Sequence, residues 1–237
     1  MENVRSATGA GPSAPAAGTA PSAPATGAPA RGELLDVAQR AFADGGFEAT
    51  SLREVTDRAG LAHGMVRHHF GTKLGLWQAV VDRAADRYRT AVAPFAGEDA
   101  GERAGVLAVT RAGVRSFLEV SARHPDLVRL LLHESVGGGD RLAYVLDRFA
   151  PVAAMMAPLF RRVQDAGYLR QFDQRAFFLF LLTTGAMPFA LSGLSTGILH
   201  EPLRADSEQG REHIDRILHT LYGPEPSPGP EPAAADG

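Results

Sequence analysis

The sequence predicts an all-helical protein made of two domains. Apolar residues recur at three- and four-residue spacing from about residue 32 to residue 222, and no segment shows the alternation of a strand. Near the N-terminus, Ala59, Gly60 and Leu61 form a tight turn between two short helical segments. These observations predict a three-helix helix-turn-helix domain over residues 31–76, joined to a larger helical domain over residues 77–222.

The two ends of the chain differ in composition from the rest. Residues 1–30 repeat Ala, Pro, Gly, Ser and Thr, and residues 223–237 are rich in proline. Neither segment can bury enough apolar surface to offset the entropy lost on ordering, so both are predicted to be disordered. A signal peptide is not expected, because no basic start precedes a continuous apolar stretch.

Composition excludes several kinds of site. The chain has no cysteine, so disulfides, thiolate metal sites and a cysteine nucleophile are excluded. The histidine spacings predict no metal site, and no motif calls for a cofactor. The net charge of -3 at pH 7 argues against non-specific polyanion binding by the whole molecule, so a DNA-binding surface would have to be local.

Three helices are predicted before residue 70, the first from about Gly32 to Gly45. The second runs from Ser51 to Ala59, because Ser51 and Glu54 have the spacing of a capping box. Gly60 ends it, since glycine adopts the left-handed conformation without strain. The third runs from about residue 62 to residue 69. It turns Val66 inward and leaves four residues facing outward: His63, Met65, Arg67 and His68.

A fourth helix is predicted from Lys73 to Val92, with Thr72 as its N-cap, and it joins the two domains. Lys73 places a cation where a phosphate would also meet free backbone N–H groups. Later helices are predicted over residues 101–121, 125–136, 140–166, 174–192 and 206–222. Pro151 and Pro158 should start, kink or split the third of these.

A series of short motifs occurs in a characteristic order between Arg31 and about residue 80. It comprises Gly46-Phe47, Ala49-Thr50-Ser51, Ala59-Gly60-Leu61 and, most specifically, His68-His69-Phe70 followed by Lys73. This order resembles the DNA-binding domain of the tetracycline-repressor (TetR) family of bacterial regulators. With the outward residues above, the resemblance indicates these DNA contacts: Thr50, Ser51, Arg53, His63, Gly64, Met65, Arg67, His68 and Lys73.

Two positions depart from the family pattern. Ala62 stands where the family usually has a serine or threonine, so that cap and its phosphate contact are missing. Arg67 stands where a tyrosine is usual, and its planar fork of donors suits phosphate or guanine. The operator sequence therefore cannot be carried over from better-known relatives.

The resemblance also implies how the protein works. It implies a cytoplasmic homodimer, not an enzyme, that binds double-stranded DNA at a palindromic operator and is released by a small molecule. The expected dimer helices are residues 174–192 and 206–222. Four residues of the first are expected to be partly buried against the partner: Phe177, Phe178, Leu181 and Leu182.

The second domain holds more aromatic and methionine residues than a tight aliphatic core needs. A cavity for a small apolar or aromatic effector would use the same residue types with a few polar groups. Prolines and methionines near residues 151–160 favour irregular space there. The candidate ligand-binding residues are Arg111, Phe117, His133, Tyr144, Phe149, Met155, Met156, Phe160, Phe180 and Met187.

Two alternative functions remain open from the sequence. Residues 193–197 match the G-x-S-x-G pattern of a hydrolase with Ser195 as nucleophile, although that motif needs a preceding strand and a following helix. Residues 176–199 carry no charge and are long enough to span a bilayer of ~30 Å, which suggests a membrane-tethered sensor. A helix buried in a subunit interface has the same composition and is the favoured interpretation, with no membrane contact.

Overall fold

The computed structural model describes residues 28–97 and 105–224. Most of the disorder predicted for residues 1–30 and 223–237 lies outside them, but residues 28–30 begin the first helix, so the prediction is wrong there. The described residues are mostly helical and contain no strand, which confirms the fold class. The helices are α1 (Ala28–Ala49), α2 (Leu52–Arg58), α3 (Gly64–Phe70), α4 (Lys73–Val92), α5 (Val106–Arg123), α6 (Pro125–Gly137), α7 (Gly139–Asp165), α8 (Gln174–Ala190), α9 (Ser192–Leu199) and α10 (Glu208–Tyr222).

The first helix, α1, extends beyond the predicted helix at both ends. It begins at Ala28 and continues to Ala49 past a break at Gly46, whose φ of 72° lies in the left-handed region. Thr50 follows directly and is buried. Its hydroxyl donates to the carbonyl oxygens of Ala41 (3.1 Å) and Gly46 (2.7 Å), which satisfies backbone acceptors near the broken end of α1.

The helix-turn-helix forms where it was predicted, but its capping differs. Gly60 has a positive φ of 65°, and Leu61 beside it is buried. Ser51 stands at the N-cap of α2, but its side chain makes no capping bond. Glu54 pairs instead with Arg58 at 2.7 Å. The predicted capping box is therefore wrong, because the Glu54 carboxylate finds a cation one turn later in its own helix.

The bounds predicted for α4 are confirmed, and Thr72 caps its start by accepting the Gly75 N–H at 2.9 Å. We call α1–α3 and the first two turns of α4 the head. Its hydrophobic core continues past residue 76 to Val80 and Val81, and it includes Leu130 of α6 and Val145 of α7. The core of the head therefore extends into the helical domain, and the later residues of α4 belong to a second core.

In the helical domain, α7 is a single helix with Pro151 and Pro158 inside it, so the prolines do not split it. The uncharged run over residues 176–199 forms two helices instead of one. The first, α8, contains a π-helical segment (Leu181–Ala186), and α9 leaves it at an angle of 81°. Sequence reasoning missed α9. The last helix, α10, begins after the N-cap Ser207 and packs on α5.

Candidate DNA interface and effector cavity

The outer surface of the helix-turn-helix is formed largely by α3. Val66 is buried and anchors α3 in the head core, whereas Gly64, Arg67 and His68 are exposed. A Cβ added at Gly64 would meet nothing within 4 Å, so packing within the described residues does not require glycine there. Backbone without a side chain leaves room for the close approach of a phosphodiester strand.

Several of the predicted DNA contacts are held by the protein itself. The hydroxyl of the buried Thr50 is used within α1. His63 Nδ1 lies 2.8 Å from Thr56 Oγ1, and His63 Nε2 lies 3.7 Å from Asp57, so the ring is tied to α2. Met65 is half-buried against the head core. His63 is still 60% exposed and faces outward as expected, whereas Met65 is only partly exposed, which corrects that expectation.

Lys73 begins α4 as predicted, but its ammonium group is engaged within the head. Its Nζ donates to the Glu48 carbonyl oxygen at 3.1 Å and lies 4.7 Å from the centre of the Phe47 ring. Arg141 of α7 lies 4.3 Å from the same ring centre and donates to Glu48 and to the buried Glu134. Two cations, one from each domain, therefore share the Phe47 ring.

The residues that remain available form one group. The exposed members are Ser51 just before α2, Arg53 on α2, His63 just before α3, and Gly64, Arg67 and His68 on α3. Arg53 lies 3.9 Å from Asp57, and exposed pairs of this kind contribute little to stability. The arginine can therefore exchange this partner for a phosphate at small cost.

An apolar cavity of about 270 Å³, which we call the outer cavity, lies between α4, α5, α6, α7 and α8. None of its lining residues is charged. Ser135 and Leu146 in its wall are exposed, so the cavity opens to solvent there. Its volume is close to the lower end of ligand pockets, which is ~300 Å³.

Tyr88 of α4 contributes the aromatic wall of the outer cavity together with Phe117. Its hydroxyl is hydrogen-bonded to Ser121 Oγ at 2.9 Å. Burial raises the pKa of Tyr88 to about 12, so the phenol stays neutral even in alkaline solution. The cavity wall therefore favours an uncharged guest.

A smaller apolar cavity of about 70 Å³, the inner cavity, lies between α5, α7 and α8 and the end of α4. Met156, Phe160 and Phe177 are among its lining residues, and Thr110 and Gln174 are its polar members. Every lining residue is buried or half-buried. The inner cavity adjoins the outer one at Phe117 and Phe178, which line both.

The predicted ligand-binding residues separate into two groups. Phe117 and Phe149 line the outer cavity, and Phe117, Met156 and Phe160 line the inner one. Met155, Phe180 and Met187 pack against the core of the helical domain and line neither cavity. The methionine and proline segment on α7 thus supplies part of the wall.

The three polar groups predicted for the pocket line neither cavity. Each is instead hydrogen-bonded to a residue distant in sequence. Arg111 donates to the Gly223 carbonyl oxygen at 2.8 Å. His133 Nε2 lies 3.1 Å from the Ala43 carbonyl oxygen, and the Tyr144 hydroxyl donates to Asp82 at 2.9 Å. His133 and Tyr144 therefore connect the helical domain to the head and to α4.

Sequence reasoning placed Phe177, Phe178, Leu181 and Leu182 against a partner subunit. In the structure, Phe177 and Leu181 line the inner cavity, Leu182 lines the outer cavity, and Phe178 lines both. Tyr88 was missed as well. Its spacing from Val81 and Ala84 on one face of α4 was the available signal.

The hydrolase alternative lacks its structural requirement. Residues 193–197 lie inside helix α9, and α8 precedes them instead of a strand. The Ser195 side chain is buried, and its hydroxyl donates to the Pro188 carbonyl oxygen at 2.7 Å. A nucleophile elbow requires a serine exposed between a strand and a helix, so the match is coincidental.

The membrane alternative is not favoured either. By length and composition, α7 alone and the bent pair α8–α9 could each cross a bilayer. However, α7 and α8 bury Phe160, Val163 and Leu181 in the core of the helical domain. The 81° bend after α8 also prevents residues 176–199 from forming one straight span.

Comparison with known proteins agrees with this geometry. The family model for bacterial regulatory proteins of the tetR family matches residues 34–80. The repressor KstR2 of Mycobacterium tuberculosis (strain ATCC 25618 / H37Rv) is 30% identical over 146 residues, which cover 59% of this chain and 69% of KstR2. The activator FasR of Mycolicibacterium smegmatis is 41% identical over 56 residues, but these span only 24% of this chain and 26% of FasR.

Solved structures share the fold over most of the chain. The structure of KstR2 from M. tuberculosis has a TM-score of 0.59 at 23% identity and covers 81% of this chain and 94% of that one. A putative fatty acid metabolism regulator of Clostridium perfringens has a TM-score of 0.64 at 12% identity, covering 81% and 98%. The helix-turn-helix head, the helical domain and the match to KstR2 together establish that this chain belongs to the TetR family of bacterial transcriptional regulators.

Proposed function

We propose that the protein is an effector-responsive repressor that binds a palindromic operator as a cytoplasmic homodimer. The observation that carries the proposal is the double role of Val80 and Val81. Both residues of α4 belong to the core of the head and to the wall of the outer cavity. A molecule that enters the cavity therefore contacts the helix on which the DNA-binding head is built.

The same connection recurs on α7. Leu142, Val145 and Leu146 of this helix line the outer cavity, while Arg141 donates to Glu48 in the head. A guest that moves α4 or α7 changes the position of the head, and in a dimer it changes the distance between two heads. If the guest favours the DNA-incompetent spacing by ~3 kcal/mol, operator affinity falls about 150-fold.

The names of two similar proteins agree with a repressor and with binding of an effector and operator DNA. KstR2 is named a repressor, and one solved neighbour, AibR, was crystallised with isovaleryl coenzyme A and operator DNA. AibR is 20% identical with a TM-score of 0.58, so for the present chain it supports the fold. We extend operator binding and effector release to this protein because its own α4 connects the head to a cavity.

The proposal is tested by selecting bound fragments from the source genome and then titrating effector candidates against the selected operator. An effector at ~100 times its dissociation constant should add about 2.7 kcal/mol to the free energy of unfolding. It should release the operator over the same concentration range. Apolar compounds that raise the melting temperature without ever weakening operator binding would contradict effector-driven release.

Arg67 is expected to provide the strongest contact of α3. Because it is exposed and carries a planar fork of donors, Arg67→Ala should weaken operator binding by ~1–3 kcal/mol. Fluorescence anisotropy with the selected operator measures this. Arg67→Lys should recover only the part due to charge, and Arg40→Ala on exposed α1 is the matched control. If the wild type and both Arg67 variants bound the operator with equal affinity, α3 would not belong to the DNA interface.

The dimer interface is proposed to include α9 in addition to the expected helices α8 and α10. Leu194 and Ile198 are 60% and 66% exposed and four residues apart on α9, while Ser195 is turned into the protomer. Leu179 of α8 is 59% exposed as well. Such an arrangement leaves an apolar surface uncovered in a single chain, and a second copy related by two-fold symmetry would cover it.

Leu194→Arg should therefore convert the dimer at micromolar concentration to monomer, because the interface would bury an unpaired charge. Light scattering or analytical ultracentrifugation reports the mass. Val136→Arg is the control, since Val136 lies at the end of α6 and is 91% exposed. A wild-type protein that is monomeric, or a Leu194→Arg variant that remains a dimer, would contradict the placement.

A further inference from the structure

We infer that the outer and inner cavities are two parts of one elongated site for a molecule with a long, unbranched apolar chain. The inference rests on the proposed function and specifies the effector class. The two cavities share two wall residues, Phe117 and Phe178, and their rings pack edge to face with centroids 5.9 Å apart. This ring pair is the partition between the cavities.

The Phe117 ring of the partition is fixed by its neighbours, whereas the Phe178 ring is only half-buried. Phe117 is buried and lies 5.2 Å from the ring of Tyr88, whose hydroxyl is bonded to Ser121. Phe178 is half-buried on α8. A χ1 rotation of Phe178 therefore joins the cavities, and Phe117 remains as the fixed wall.

Consecutive residues of α8 face different cavities. Phe177 and Leu181 line the inner cavity, whereas Leu182 lines the outer one. The π-helical segment begins at Leu181, three residues after Phe178. Such segments commonly occur where a helix adapts to a functional site.

The shape sets the chemistry of the guest. The inner cavity of about 70 Å³ is too small for a ring system and admits a narrow chain end. Because no lining residue of either cavity is charged, a charged end group of the guest has no partner inside and is expected at the solvent-exposed mouth, near Ser135. A straight chain with one polar end meets these requirements, whereas a compact polycyclic molecule fits the outer cavity alone.

The test measures binding of octanoic, dodecanoic and hexadecanoic acids to the full chain by calorimetry, below their micelle-forming concentrations. Each additional buried methylene should tighten binding about fourfold until the inner cavity is full. The matching straight-chain alcohols should show the same dependence on length. Adamantanecarboxylic acid, which is compact, should bind no tighter than octanoic acid. Binding that is independent of chain length, or a length dependence confined to the acids, would overturn the inference.

Ala153→Phe provides the structural control, because Ala153 lines the inner cavity on half-buried α7 surface. This variant should weaken hexadecanoic acid at least tenfold and leave octanoic acid unchanged. The same substitution at the exposed neighbour, Ala154→Phe, should change neither. Phe178→Ala should remove the partition and let the compact acid gain affinity. If a folded Ala153→Phe protein bound hexadecanoic acid as tightly as the wild type does, the hydrocarbon chain of the acid would lie outside the inner cavity, which would contradict the inference.

Operator binding, measured in parallel, separates this inference from the proposed function. Chain-length-dependent binding with no change in operator affinity supports the elongated site and contradicts effector-driven release. If compact compounds release the operator and the straight-chain acids do not bind, the elongated site is contradicted, but the proposed regulatory function is supported.

Discussion

Replacing Trp77 with alanine is expected to lower the free energy of unfolding by ~3–5 kcal/mol, the usual cost of deleting a buried tryptophan ring. Trp77 is fully buried on α4 and lies near aromatic rings of both domains. Its centroid is 6.2 Å from that of Phe47 and 5.7 Å from that of Tyr144. The cavity left behind would open between the head and α7. Circular dichroism melting curves measure the loss.

Trp77→Phe is the matched control. The Trp77 Nε1–H is buried and has no hydrogen-bond partner among the described residues, so its removal costs no bond. Phenylalanine keeps most of the aromatic contact with Phe47 and Tyr144. We expect this variant to lose less than half as much stability as alanine. Equal losses in the two variants would show that ring packing does not connect the domains.

Gly75→Ala is expected to destabilise the head by ~3 kcal/mol and to abolish operator binding. A Cβ at Gly75 would lie 2.2 Å from the carbonyl oxygen of Phe70. Because that oxygen belongs to the backbone, no side-chain rotation relieves the clash, and the turn between α3 and α4 must open. Chemical denaturation and operator titration report the two effects.

Gly64→Ala separates folding from DNA contact. Its Cβ meets no atom within 4 Å, and Gly64 is helical, so alanine should stabilise α3 by up to ~1 kcal/mol. If DNA backbone approaches this glycine closely, operator affinity should fall although the protein is more stable. Unchanged affinity would exclude a close approach at Gly64.

The sequence predicted the helices better than it predicted the cavity, for a physical reason. The bounds of α4 follow from local signals, since Thr72 caps its start and apolar spacing continues to Val92. The capping box at the start of α2 was predicted wrongly because Glu54 has a competing partner: its carboxylate pairs with Arg58, one turn later in the same helix. Helix α9 was missed because Gly193 and Gly197 weaken its local signal.

The walls of the cavities depend on contacts that no local pattern contains. Aromatic and methionine residues were sound candidates, and Phe117, Phe149, Met156 and Phe160 do line a cavity. The polar candidates were misplaced because their partners are distant in sequence: Arg111 with Gly223, His133 with Ala43, and Tyr144 with Asp82. The exposed side of α3, by contrast, follows from helical spacing around Val66.

The head and the helical domain meet through two kinds of contact that respond differently to ionic strength. Arg141 and Lys73 both lie over the Phe47 ring, but Glu48, the carboxylate in the head that pairs with Arg141, is 81% exposed. Dissolved ions screen this exposed pair as they screen arginines facing phosphate. They do not weaken the apolar core of the head, which includes Leu130 and Val145 of the helical domain. Rising salt should therefore weaken DNA binding while the head stays packed against α6 and α7.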